Sequence, residues 1–271
     1  MIKRIITSGL VAEFRALTTR EGKTPRRQTE GGFTLVEMLV VISIAGILAV
    51  LSIPAVQGLQ QAGGFDKSVY AMSDSLNFAR AYAMAQHTYV YVGLTEVNRT
   101  QNPGATPQVA GIGKVILSVV ATTDGLSDTS SWSTTGANLA QIRQNQILDS
   151  FHIASTAFPT TTTGAMARPA NVTTTPVVLP AASAPTTPFS LPLGSTSGSG
   201  KYNFNTTNSE VLCFNPQGGV LLNGSTFQWL EVDVQPAMGT TTPAVPTNVN
   251  QGNQAALVID GLTGSVIVYR P

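Results

Sequence analysis

The chain has 271 residues, of which 42% are hydrophobic and 11% charged, with a formal net charge of +1 at pH 7. The charge is unevenly distributed, because the first 32 residues carry seven basic and three acidic side chains and the remainder carries eight and eleven. Residues 33–271 have a small net negative charge and so lack the excess of basic residues that binds a nucleic acid, and nucleic-acid binding is not expected. The single cysteine, Cys213, permits no internal disulfide and is most simply a small core residue.

Residues 1–32 form a polar, basic segment that stops abruptly at Gly31-Gly32. Basic residues that flank a membrane span are retained on its cytoplasmic side. We therefore expect this segment to stay in the cytoplasm as a leader and the C-terminal bulk of the chain to be translocated.

An apolar run of 21 residues follows, from Phe33 to Ile53, with one charged residue, Glu37. About 20 apolar residues in a helix cross a hydrocarbon core of about 30 Å, so the run is a candidate membrane span. A secretory signal peptide has a shorter apolar core, of about 7–15 residues, and a small-residue cleavage site after it. A plain membrane anchor fits the length, but it leaves Glu37 without a purpose in a segment where an acidic side chain is costly.

The residues Gly-Gly-Phe-Thr-Leu-Val-Glu-Met-Leu-Val-Val, from Gly31 onward, resemble the cleavage and assembly signal of type IV pilins and type II secretion pseudopilins. The resemblance implies that a prepilin peptidase cuts after Gly32 and that the new N-terminal Phe33 is N-methylated. It also implies that Glu37 is the acid needed for filament assembly. Gly46 and Pro54 fall where many members carry a glycine and a proline, in a helix segment that can loosen in the filament.

The same resemblance implies a single-pass protein of the inner membrane whose C-terminal domain is periplasmic and which is incorporated into an envelope filament. Its expected partners are the prepilin peptidase, other pseudopilin or pilin subunits, the inner-membrane assembly platform and membrane lipid. Two alternatives stay open. One is a FimT-like minor pilin that acts in adhesion or DNA uptake, and the other is a membrane-anchored surface protein outside any filament.

After the span, residues 55–87 are predicted to be the soluble half of the N-terminal helix. The pair Gly63-Gly64 predicts an interruption, since each glycine costs about 1 kcal/mol in a helix interior, and Asp66 is a candidate N-cap beyond it. The following apolar residues recur at helical spacing and predict a core-facing stripe: Val69, Met72, Leu76, Ala79 and Ala83. The segment 75–85 also resembles the Ala-Arg-x-x-Ala stretch of GspH/FimT-like minor pseudopilins.

Residues 88–271 are predicted to form a β-rich domain, so that the chain has the α+β class, with a long N-terminal helix packed on an antiparallel sheet. Expected strands are Thr88–Leu94, Lys114–Ala121, Asn203–Asn205, Glu210–Phe214, Gly219–Leu222, Thr226–Val234, Ala256–Ile259 and Ser265–Tyr269. The last two are expected to form a hairpin like that of the same minor pseudopilins. Between about residues 155 and 200, Thr, Pro, Ala, Ser and Gly dominate, which predicts a low-complexity surface loop.

The sequence offers no catalytic site, and we expect neither an enzyme nor a cofactor. His87 and His152 lie far apart and without a cluster of metal-ligating residues, so no metal site is predicted. The segment from Asp124 to Asp128 could hold a cation, but it lacks a bidentate glutamate at EF-hand spacing and is predicted to be a plain turn.

Overall fold

The computed structural model describes residues 32–127, 138–158, 174–186, 188–196, 198–237, 239, 241–244 and 253–270, with the backbone alone in residues 53–62. The chain divides into two compact units, with the boundary between Leu51 and Ser52. The first contains the beginning of an apolar helix, and the second contains the remainder of that helix and all the strands.

The helix, α1, spans Leu35–Gln86 without a break. The predicted stripe is confirmed, since Val69, Met72 and the residues that follow it at helical spacing have no exposed surface. The predicted interruption at Gly63-Gly64 is wrong. Phe65, directly after the two glycines, is fully buried in the same core, and this tertiary packing outweighs the poor helix propensity of glycine.

Asp66 is consequently not an N-cap but a residue inside the helix, and its carboxylate has a different role. Its Oδ1 accepts a hydrogen bond from Arg270 Nη1 at 2.5 Å. The Arg270 guanidinium also lies over the rings of Phe65 and Tyr70, at 5.9 and 5.3 Å. The last strand of the chain is thereby fixed to α1.

Thirteen strands lie in the part of the chain that the structure describes. They are β1 (Val90–Asn98), β2 (Gly113–Thr122), β3 (Leu139–Asp149), β4 (Phe151–Ile153), β5 (Thr174–Val177), β6 (Phe189–Leu191), β7 (Tyr202–Phe204), β8 (Ser209–Phe214), β9 (Val220–Leu222), β10 (Ser225–Thr226), β11 (Trp229–Pro236), β12 (Ala255–Asp260) and β13 (Val266–Tyr269). One sheet has the order β10-β9-β8-β1-β2-β3, and a second has the order β13-β12-β11-β4, with β5 also paired to β11. A third, small sheet joins β6 to β7.

The fold class is confirmed as α+β, because an N-terminal helix precedes sheets that are antiparallel except for the β5–β11 pair. The predicted C-terminal hairpin is present, with Ala256 opposite Tyr269 and Ile259 opposite Val266. The main core joins the α1 stripe to residues of both large sheets, such as Leu212 and Leu257. The division of the chain at residues 32, 54 and 87 stays a prediction.

The strand predicted from Thr226 to Val234 is interrupted, and β10 and β11 replace it. The backbone of Gly261 passes close to the interruption, since a Cβ on Gly261 would overlap the carbonyl oxygen of Phe227. Gly261 N–H also donates to Gln228 O at 2.9 Å. The chain at residues 227–228 therefore bonds to a turn of the second sheet instead of continuing the first.

Strand β3 was not predicted, because its sequence, Leu-Ala-Gln-Ile-Arg-Gln-Asn-Gln-Ile-Leu-Asp, is polar and does not alternate. It is the outermost strand of its sheet, and its pairing with β2 shifts register twice, between Leu117 and Val119 and between Val119 and Val120. The side-chain amides of Gln141 and Gln146 donate to carbonyl oxygens of β3 itself, at 3.0 and 3.3 Å. An edge strand needs no apolar face of its own, so its composition carries little strand signal.

The segment predicted to be a low-complexity loop contains two strands, β5 and β6, in its described part. Phe189 of β6 stacks on Phe204 of β7 at a ring-centroid distance of 4.6 Å, and both rings are buried in a second apolar core with Tyr91 and Ile116. A Cβ on Gly93 would lie 2.6 Å from Phe204 and 2.7 Å from Phe189. A glycine in β1 therefore makes room for this ring pair, and the segment packs on the outer face of the sheet.

Candidate processing and assembly site

The start of α1 leaves the predicted cleavage junction accessible. Gly32, Phe33 and Thr34 precede the first helical residue and have no regular secondary structure. Phe33 is 78% exposed, and a Cβ on Gly32 would meet no atom within 4 Å. Gly31, the other glycine of the motif, lies outside the described residues. The peptide bond between Gly32 and Phe33 is thus open to an enzyme in this structure.

Glu37 and Thr34 form a capping box at the N-terminus of α1. Glu37 Oε2 accepts hydrogen bonds from the backbone N–H and the hydroxyl of Thr34, both at 2.9 Å. Thr34 Oγ1 in turn accepts a bond from the Glu37 N–H at 3.2 Å, and the Met38 N–H donates to Thr34 O at 3.2 Å. Such reciprocal bonds satisfy N–H groups that have no partner within the helix.

The capping box holds the carboxylate of Glu37 on the side of the Gly32–Phe33 junction. Its acceptor oxygen lies on the N–H of Thr34, the residue directly after Phe33. If the chain is cut after Gly32, the new amine of Phe33 is one residue from that bond. A carboxylate at a helix N-terminus beside an amine can balance the positive charge of that amine.

The helix beyond the capping box presents apolar side chains on all its faces. The segment Leu35–Ser52 is long and apolar enough to cross a membrane, and none of it is buried within the protein. Its exposed large side chains run from Leu35 to Leu51, the latter 69% exposed. The hydroxyl of Ser43 donates to Leu39 O at 2.8 Å, so this polar group is satisfied inside the helix, as a lipid environment requires.

Gly46 and Pro54, which the sequence indicates as points of flexibility, both lie within α1. A Cβ on Gly46 would meet no atom within 4 Å, so no contact of this chain explains the glycine. Proline lacks a backbone N–H, so Pro54 cannot donate to the carbonyl four residues earlier. Loosening of the helix at these two residues stays a prediction.

The remaining candidates for chemistry have structural roles. His87 directly follows α1 and has a positive φ of 51°. Cys213 is buried, which raises the pKa of its thiol to about 12, so it is no reactive thiolate at neutral pH. Asp124 accepts the N–H of Leu126 at 3.0 Å in a tight turn. Over the described ranges, no group of three or more His, Cys, Asp or Glu residues could hold a metal ion.

Sequence reasoning missed a buried pair between His152 and Glu96. His152 Nδ1 lies 2.9 Å from each carboxylate oxygen of Glu96, and Gly113 N–H donates to Glu96 Oε1 at 3.0 Å. Both side chains are 2% exposed, and burial raises the pKa of Glu96. The pair joins β1 of the first sheet to β4 of the second. The partners are 56 positions apart, so no local pattern in the sequence indicates this pair. The capping box, in contrast, could have been found from the pattern Thr-x-x-Glu before an apolar run.

Comparison with protein families gave one match, to the model of the prokaryotic N-terminal methylation motif, over residues 27–53. Neither the comparison with curated proteins nor that with solved structures gave a significant match. The matched residues include the open Gly32–Phe33 junction, the capping box and most of the exposed apolar helix. The N-terminal segment is therefore a prepilin-type methylation signal, the mark of the type IV pilin and pseudopilin family.

Proposed function

We propose that this chain is a minor pseudopilin-like filament subunit, assembled through its N-terminal helix into a type II secretion pseudopilus or a type IV pilus. The observation that carries the proposal is the apolar segment Leu35–Ser52, whose one charged residue, Glu37, is held at the start of the helix beside the Gly32–Phe33 junction. The prepilin-type signal implies that a prepilin peptidase processes the chain and that other pilin subunits are its partners.

The energetics of the helix favour a partner that is itself apolar. Side chains from Leu35 to Leu51 leave water on entering a membrane or a bundle of like helices, and burial stabilises by about 25 cal/mol per Å² of apolar surface. Because lipid is as apolar as another helix, the gain on moving from membrane to filament comes from packing and from charge pairing. Glu37 supplies the charge, and the methylated amine of Phe33 on a neighbouring subunit is its proposed counter-ion.

Processing comes first in this mechanism. An uncut leader keeps Phe33 in a peptide bond, so that no amine exists to pair with Glu37. It also keeps the basic residues of segment 1–32 in the cytoplasm, where they hold the helix at the inner membrane. After the cut, the C-terminal unit lies in the periplasm and the inner-membrane assembly platform draws the helix into the filament.

A narrower likeness to GspH/FimT-like minor pseudopilins is part of the proposal. Segment 75–85 lies on α1, and Arg80 within it contacts the C-terminal hairpin, since a Cβ on Gly264 would lie 3.3 Å from Arg80 Cδ. The two features that prompted the likeness thus pack together. DNA uptake is less favoured than filament assembly, because Arg143 and Arg270 form ion pairs with Asp74 and Asp66.

The test is N-terminal mass spectrometry of the protein isolated from its native membrane. We expect a mature chain that begins at Phe33 with a methylated amine, and we expect Gly32→Leu to leave the full-length precursor in the membrane. As a matched control, Gly46→Leu should be processed normally, because its site is exposed and 14 residues downstream. An intact leader on the wild-type protein would instead support a plain membrane anchor.

A further inference from the structure

Two exposed turns of the unit from Ser52 onward share the sequence Asp-Gly-Leu followed by a hydroxyl residue, at residues 124–127 and 260–263. In both, Oδ1 of the aspartate accepts the N–H of the leucine two residues later, at 3.0 Å for Leu126 and 2.9 Å for Leu262. Leu126 is 59% exposed and Leu262 is 83% exposed. Single exposed leucines are ordinary, but two built the same way beside carboxylates are a repeated surface feature.

Both turns lie at the C-terminal end of α1. A Cβ on Gly125 would lie 3.8 Å from the carbonyl oxygen of His87, which directly follows the helix. The second turn meets the helix through Gly218, whose Cβ would lie 2.7 Å from Met84 Sδ and 3.5 Å from Thr263 O. The first turn follows β2 of the six-stranded sheet, and the second joins β12 to β13 of the other sheet. We name this surface, made of Asp124, Leu126, Asp260 and Leu262, the turn end.

A cavity of about 690 Å³ lies at the other end of the same stretch of helix, lined by Lys67, Arg99, Ile147, Asp149 and neighbouring residues. Asp149 faces Lys114 at 4.0 Å, whereas Lys67 has no ion pair with any residue that the structure describes. Ile147 is 51% exposed. This surface, the cation cavity, is therefore both positive and partly apolar. From Lys67 to Met84 the helix rises by about 26 Å, so the two surfaces are well separated.

We propose that the turn end of one copy of this chain docks into the cation cavity of a second copy. The carboxylates of Asp124 and Asp260 complement Lys67, and the exposed leucines complement Ile147. Each carboxylate retains acceptor capacity beyond its turn bonds, because an ionised carboxylate has about four lone-pair sites. This proposal rests on the proposed function, which it deepens by naming the contact between the subunits' globular parts.

A head-to-tail contact of this kind suits a filament. Two different surfaces that bind each other make a heterologous contact, and such contacts repeat into an open helical array unless the rotation closes a ring. A docked pair then has one unused turn end, on one copy, and one unused cation cavity, on the other, to which the next copies add. Pairing between exposed rim charges sets register and orientation more than it adds affinity, so the bulk of the assembly energy stays with the helix.

The experiment is cysteine cross-linking of the full-length chain in cells that process it, with Cys213→Ala as the background. Leu262→Cys or Leu126→Cys is combined with Ile147→Cys and treated with a short bismaleimide. We expect a ladder of dimers, trimers and higher species. The matched control combines Val109→Cys with Ile147→Cys. Val109 is about as exposed as Leu126, but it lies at the cavity end, because its carbonyl oxygen accepts the N–H of Asn98, the residue before Arg99. Head-to-tail docking gives no ladder for that pair.

Charge variants give a second readout. Lys67→Glu should reduce the cross-linked fraction about fivefold, the upper range for an exposed ion pair, whereas Lys67→Arg should leave it unchanged. Lys201→Glu makes the same charge change at a lysine that does not line the cavity, and it should have no effect. An absent ladder in filaments that still pellet and still require Glu37 would overturn the docking contact alone. An uncut leader and no filaments would overturn the proposed function itself, and cross-linking that stops at dimers would indicate a symmetric contact instead.

Discussion

The two units of this protein differ in how far their apolar side chains are exposed. In the unit that ends at Leu51, the described residues from 32 onward expose almost every large apolar side chain, whereas the unit that begins at Ser52 buries most of its own in cores around its sheets. The second unit therefore has what it needs to fold alone in water, and the first gains stability only from a surrounding of lipid or other helices. Mutations in the two units should accordingly fail in different assays.

The largest expected effect comes from Glu37, and it falls on assembly. Glu37→Ala removes the only charge of the apolar segment, so membrane insertion should be unharmed and cleavage after Gly32 should persist. Incorporation into filaments should be lost, because the Phe33 amine then lacks its partner in a low-dielectric bundle. Cross-linking between filament subunits, beside N-terminal mass spectrometry, measures both.

Thr34→Val sharpens this first prediction. It removes the hydroxyl of the capping box but keeps the backbone N–H that binds Glu37. If Glu37 acts only as a cap, both variants should fray the helix end and give equal defects. If Glu37 pairs between subunits, Thr34→Val should be the milder one. Normal filaments from Glu37→Ala would leave the plain membrane anchor as the better interpretation.

The second effect falls on folding. Phe204→Ala should lower the free energy of unfolding of the C-terminal unit by about 3–4 kcal/mol, because it empties the ring stack over Gly93. Gly93→Ala should cost about 1–3 kcal/mol, since its Cβ would overlap both rings. The measurement is urea unfolding of a soluble fragment that begins near Phe65, which we expect to fold without lipid. Leu262→Ala, at a side chain 83% exposed, is the control and should leave the midpoint unchanged.

A third, smaller effect depends on pH. Burial raises the pKa of Glu210 to about 7, above its usual 4.5, so the folded state disfavours its charged form. The unfolding free energy should therefore fall as pH rises from about 4.5 through about 7, and the raised pKa of Glu96 adds to this trend. The unfolding free energy of Glu210→Gln, taken relative to that of the wild type, should be about 2 kcal/mol higher at pH 8 than at pH 4.5. The same gain from Asp149→Asn, at an exposed carboxylate, would show that the trend has another source.

The smallest expected effect concerns the contact of β13 with α1. Arg270→Ala removes the bond to Asp66 and two ring contacts, and we expect a loss of about 1 kcal/mol in the fragment, since the guanidinium is only partly buried. Arg270→Lys keeps the charge without the planar stacking and should lose about half as much. Equal stability of all three proteins would mean that the last strand contributes nothing through this residue.

The sequence predicts this molecule well wherever a pattern repeats over many residues. The stripe from Val69 to Ala83 spans four helical turns, and the hairpin of β12 and β13 has two alternating strands around a turn. Strand β6, in contrast, has three residues in a stretch of Thr, Pro, Ser and Gly, and only the packing of Phe189 on Phe204 makes it a strand. Composition averaged over about 45 residues cannot show a contact made by one ring.

The functional and charged residues divide in the same way. Gly32, Phe33 and Glu37 are visible in a contiguous motif, and the match over residues 27–53 rests on that contiguity. The Asp66–Arg270 and Glu96–His152 pairs join residues that are distant in sequence, so only the fold brings them together. Nothing in the local sequence distinguishes these charged residues from ordinary surface ones.

The irregular pairing of β3 has a consequence for the proposed role of this chain as a filament subunit. Subunits waiting in a membrane are crowded at high local concentration, and an outermost strand of 11 residues invites the same strand of a neighbour to pair with it. Two register shifts interrupt the regular pairing of β3, and glutamine amides already bond to two of its carbonyl oxygens. Both features make β3 a poorer partner for a second edge strand than a flat, regular strand of the same length would be.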